Sequence, residues 1–102
     1  MIADDHRTAE RRSLALHAAV VARLDDAAIA RATTRVEGWL RDGAPVPPAA
    51  ALAWRALLCG PRETLVAALT RDDERMRDLR QNTPFAGLVP AAERWKIVRE
   101  VR

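Results

Sequence analysis

Leu14, His17, Ala18, Val21 and Leu24 recur three or four residues apart, so they share one face of an amphipathic helix. Asp4 and Asp5 stand near its start, where acidic side chains complement the helix dipole. The pattern predicts a helix over residues 5–23. A second stripe runs through Ile29, Ala32, Val36, Trp39 and Leu40. Asp25 in front of it suits an N-cap and Gly43 behind it suits the left-handed position past a C-terminus, which predicts a helix over 26–41.

Ala44-Pro45-Val46-Pro47-Pro48 cannot continue a helix, because proline removes amide donors and pushes the preceding residue toward extended backbone. A stiff connector is predicted there. Pro47 and Pro48 then lead into a third helix over 49–58, with Leu52, Leu57 and Leu58 facing inward. Gly60-Pro61 stops it, and Pro61 serves as a first-turn residue for a short fourth helix carrying Leu65, Val66 and Leu69. Thr70 and Asp73 have the spacing of a capping box, which predicts a fifth helix through Met76 and Leu79. Asn82-Thr83-Pro84 ends it, and Phe85-Ala86-Gly87-Leu88-Val89 reads as irregular chain. Pro90 with Glu93 opens a last helix bearing Ala91, Trp95, Val98 and Val101.

No segment sustains the period-two alternation of a half-buried strand. The pattern therefore predicts an all-α fold: one domain over 1–102, a compact irregular bundle of about five to six helices, the two N-terminal ones longer. Trp39 and Trp95 are expected to be substantially buried.

Composition changes this picture little. The chain has 102 residues, 49% hydrophobic and 30% charged, the balance of a folded domain rather than a disordered tail. Charged residues interrupt every apolar run, so a membrane span is not expected. The polar N-terminus lacks the apolar stretch of a secretory signal, and Cys59 has no cysteine to pair with; both favour the cytoplasm. Seventeen lysines and arginines against fourteen acids give a formal net charge of +3, with acids and bases interspersed through both halves. That balance is no strong nucleic-acid signal. Lys96 is the only lysine, an arginine and alanine bias of the kind found in GC-rich bacterial genomes.

Candidate chemistry is sparse. His6, His17 and Cys59 have no metal-ligand spacing, and Gly38, Gly43, Gly60 and Gly87 are too scattered for a phosphate-binding loop, so neither metal nor cofactor is expected. Cys59 and His17 could in principle form a nucleophile and base, but a small buried hydrophobe at a helix end and a satisfied core histidine are the simpler readings. Asp72-Asp73-Glu74 reads as a solvated helix start. An enzyme is not expected.

Two binding readings remain. Arg80, Phe85, Arg94 and Trp95 gather arginines and aromatics around an irregular Pro/Gly-bounded segment, and these residue types anchor protein interfaces. The alternative uses Arg7, Arg11 and Arg12 on the first helix, with Arg31 and Arg35 on the second, as phosphate contacts of a nucleic-acid-binding regulator. Leu52 to Leu69 can also be drawn as a helix-turn-helix, but its second helix offers bases only Arg62, Glu63 and Thr64. In size, helical content and the late Pro84 to Gly87 segment, the chain resembles, in a general way, short bacterial or phage regulators such as antitoxins and inhibitors of defence systems. That resemblance implies a regulator that occupies a partner protein's surface, and it carries over no functional residue.

Overall fold

The computed structural model describes the backbone of residues 2–101 and the side chains of residues 7–101. Six helices and no strand occur among them: α1 Ile2–Ala22, α2 Asp26–Asp42, α3 Pro48–Cys59, α4 Arg62–Leu69, α5 Glu74–Gln81 and α6 Ala91–Glu100. The all-α irregular bundle expected from periodicity is what forms, with two long helices followed by four short ones. Its radius of gyration of 13.6 Å is close to the ~13 Å of a compact chain of about 100 residues. The acidic start assigned to Asp4 and Asp5 lies outside the described side chains.

Local signals set most boundaries. Asp25 accepts a hydrogen bond from the Ala28 amide at 2.7 Å, and Gly43, at φ 72°, donates its amide to the Trp39 carbonyl at 2.8 Å. Pro48 opens α3, where its missing amide costs nothing. The capping box is a correction: Thr70 caps the end of α4 instead, and Asp73 alone opens α5, accepting from the Met76 amide at 2.8 Å. That bond, with Arg71 beside it, holds the Asp73 carboxyl below its ordinary value.

α2 and α3 pack against each other across the proline connector, with Val46 turned inward from the connector itself. α1 lies across α4, α5 and α6. The core runs from Val20 on α1 through Ala32 and Val36 to Ala51, Trp54 and Leu58, then Leu65 and Leu69, Met76 and Leu79, and closes on Phe85 and Val89.

Trp54 is the hub of that core. It is fully buried, donates its indole N–H to the Leu79 carbonyl at 3.1 Å, and meets Phe85 edge to face with ring centroids 6.2 Å apart. One side chain thus joins α3, the end of α5 and the segment after it. The expectation for the other tryptophans changes accordingly: Trp39 is half-buried, and Trp95 is 63% exposed. Leu52, expected inward, is 46% exposed, and Cys59 is exposed rather than buried. The two corrections on α3 share a cause. Facing Trp54 and Leu58 inward, four residues apart, rotates Leu52 and Cys59 toward solvent.

Candidate functional site

The segment from Arg80 to Trp95 divides into an inner half and an outer half. Arg80 is only 3% exposed, because α5 turns Met76, Leu79 and Arg80 toward the core. Its guanidinium donates through Nη1 to the Arg71 carbonyl at 2.8 Å and, more weakly, to the Leu69 carbonyl at 3.4 Å. A cation here meets the Leu69 carbonyl at the C-terminal end of α4, where the helix dipole is negative, and the Arg71 carbonyl two residues beyond it. Burial pushes the guanidinium below its ordinary value, and the charges of Asp72 and Asp73 oppose that shift. Arg80 Nε has no hydrogen-bond partner among the described residues.

Phe85 is also internal, at 4% exposure against Trp54. The turn that carries it is pinned from two sides. His17, 1% exposed, sits between the Ser13 carbonyl, 2.7 Å from Nδ1, and the Thr83 hydroxyl, 2.9 Å from Nε2. A carbonyl can only accept, so Nδ1 carries the proton and Nε2 accepts from Thr83. The Thr83 oxygen in turn accepts the Phe85 amide at 3.2 Å. Desolvation is the main reason the His17 imidazole titrates below its ordinary value of 6.5; the Ser13 bond works against that and the charge of Arg80 adds to it. Both ring nitrogens are engaged and neither meets Cys59, so no nucleophilic pair forms. From the other side, Arg35 Nη1 donates to the Ala86 carbonyl at 2.9 Å and the Pro84 carbonyl at 3.2 Å. Gly87 completes the turn at φ 90°, where a side chain would be strained. Arg80 and Phe85 are therefore parts of the interior, a correction to their reading as exposed anchors.

Arg94 and Trp95 lie on the outer half. α6 has no fully buried residue, and its rotation is set by two ties, one to α1 and one to the residue that follows it. Arg23 pairs with Glu93, its Nε 3.1 Å from Oε2, and Arg12 Nε donates to the Val101 carbonyl at 3.0 Å. With Glu93 turned to α1, Ile97 and Val101 follow on the same face at intervals of four and are half-buried. Trp95 is two residues, about 200°, away from that stripe and points outward with Ala91 and Ala92 in the turn before it. The Arg23 to Glu93 pair, seventy positions apart in the chain, overrules the burial expected for Trp95. Arg94 and Lys96 flank Trp95, both exposed, and neither has a partner among the described residues.

The five arginines of the alternative reading do not form one basic face. Arg12 binds the end of α6 and Arg35 binds the Pro84 to Ala86 turn. Arg7 and Arg11 line a shallow depression together with Glu10, Leu14 and Asp72, so acids sit among them. Arg31 is exposed and unpartnered among the described residues. In the helix-turn-helix region, Arg62 is paired with Asp26 and α4 buries Leu65, Ala68 and Leu69.

Among the described residues no group of His, Cys, Asp and Glu is placed to hold a metal ion, and no helix is long and apolar enough to cross a membrane. Comparison with known proteins finds no matching family, no matching characterised protein and no matching solved structure.

Proposed function

We propose that this chain is a protein-binding module that acts by occupying a partner's surface, in the manner of an inhibitor or antitoxin, and that its contact face is the outer side of α6. One observation carries the reading: Trp95, a large aromatic at 63% exposure, stands between two cations that have no partner among the described residues. Leaving an indole in water forgoes about 1.5–3 kcal/mol of hydrophobic stabilisation that a well-packed position would provide. Tryptophan and arginine are also the residue types that most often carry binding energy at interface centres. The positive flanks select a partner with an acidic contact surface, through steering and complementarity more than through raw affinity. Nucleic acid is the weaker reading, because Arg12 and Arg35 are engaged in holding the fold.

A photocrosslinking side chain at exposed Ala92, one turn before Trp95, tests this in cells of the source organism, with the same group at exposed Leu52 as the comparison. The expected result is a discrete protein adduct from position 92 that disappears when Arg94→Glu and Lys96→Glu are added. Nucleic-acid adducts, equal protein adducts from position 52, or no adduct from position 92 would overturn it.

A further inference from the structure

A groove of about 340 Å³ runs between α2 and the turn after α5, lined by Ala28, Ala32, Pro84, Phe85 and Leu88, with Arg31 and Arg35 along one wall. It brings together two groups of residues that lie some fifty positions apart in the chain. We propose that this groove binds a small amphipathic acid: an aliphatic chain ending in a carboxylate, its tail along the alanine and Leu88 floor and its charge on Arg31.

Four features of the groove lead to that chemistry. The floor is apolar and offers few polar partners, since the Pro84 and Ala86 carbonyls are already engaged by Arg35. A polar ligand such as a sugar or a nucleobase would lose water there without compensation. Arg31 and Arg35 are one helical turn apart, so two like charges face each other at a spacing that is mildly repulsive. Arg31 has no partner among the described residues that would relieve this, whereas a carboxylate between the two would. The span of α2 from Ala28 to Arg35 is about 10 Å at the helical rise, the length of an extended eight-carbon acid whose tail reaches Ala28 and whose carboxylate lies toward Arg35, within reach of the long Arg31 side chain. Finally, the walls are fixed in advance: Phe85 is clamped against Trp54, and the Thr83 hydroxyl is held by His17. A groove that needs no rearrangement loses little conformational entropy when it is filled.

This site lies on the α2 side of the molecule and does not rest on the α6 reading. The probe is octanoate, followed by amide chemical-shift titration of the ¹⁵N-labelled full chain, with octanol and acetate as partners of matched tail and matched charge. Saturable shifts are expected at Ala28, Arg31, Ala32 and Leu88 with octanoate. Octanol should bind at least tenfold more weakly, and acetate should give no saturable shift at the same concentrations. Arg31→Gln removes only an exposed, unpartnered side chain and should weaken octanoate at least tenfold while leaving octanol unchanged. Ala86→Glu, at an exposed rim position, places a competing carboxylate beside Arg35 and should also abolish octanoate binding. Equal binding of octanoate and octanol, insensitivity to Arg31→Gln, shifts centred on α6, or no saturable shift at millimolar octanoate would each overturn the proposal.

Discussion

Arg80 and Arg94 look alike in the sequence, each an arginine a few residues from an aromatic, yet the fold uses them in opposite ways. Arg80 is enclosed and binds carbonyls at and just beyond the end of α4, and its neighbour Phe85 packs on Trp54. Arg94 is exposed and unpartnered among the described residues, and its neighbour Trp95 stands in solvent. The difference lies in what the rest of the chain brings up to each. The inner pair meets backbone carbonyls around a helix terminus and a large ring; the outer pair sits on a helix whose opposite face is already fixed to α1 by Glu93 and Val101. An arginine beside an aromatic is a binding anchor only where no internal acceptor claims it.

The sharpest break of that comparison is at the inner half. Trp54→Ala is expected to cost at least about 3–5 kcal/mol, the range for large aromatic truncations in a core, since it also leaves the Leu79 carbonyl without its indole donor. Chemical denaturation should show a midpoint shift of that size, or a chain that no longer folds cooperatively. A loss below about 1 kcal/mol would remove Trp54 from its place as hub.

Arg80→Met comes next. The substitution keeps the volume of the stem but removes charge-assisted bonds to the Arg71 and Leu69 carbonyls, with an expected loss of about 1.5–3 kcal/mol. An unchanged melting curve would return Arg80 to the surface and dissolve the contrast with Arg94.

His17 sharpens the comparison through pH. Its folded-state titration is depressed, so below the ordinary value of 6.5 the unfolded chain binds the proton more readily than the folded one. Stability is then intact above that pH and falls as pH drops below it. Denaturation at pH about 7.5 and 5.5, the range in which only histidine among ordinary side chains titrates, should show the wild-type protein weaker at the lower value. His17→Gln should be less stable throughout but nearly flat between the two. A wild-type protein equally stable at both would mean that the imidazole is not held neutral between Ser13 and Thr83.

How much of this was legible in the sequence varies with the range of the cause. Asp25, Gly43 and the proline starts act within a turn of their own position, and the helices they bound were readable from them. So was the helical face of α2, where Ala32 and Val36 are buried as expected. The capping box fails because Thr70 and Asp73, three residues apart, can each cap a helix, and only the end of α4 decides between them. Trp95 departs from its expected burial because burial depends on helix rotation, and rotation of α6 is set by Arg23, far away in the chain. Arg80 carried no local sign of burial; its acceptors are backbone carbonyls, which every sequence has. The groove beside α2 was half visible, since Arg31, Arg35 and Phe85 each drew notice, but nothing in their spacing shows that they meet.

The smallest expected effect on folding belongs to the outer half. Arg94→Ala with Trp95→Ala removes two exposed side chains and should move stability by no more than about 0.5 kcal/mol, the usual range for surface substitutions. Its effect on binding tests the central claim most directly. The partner captured from position 92 would be titrated calorimetrically against the wild-type protein and this double variant. A hot spot on α6 requires a loss of at least about 2 kcal/mol, roughly a thirtyfold weakening, with the melting temperature unchanged. Equal affinity for the two proteins would contradict the account and leave α6 as a brace for α1 with an unused face.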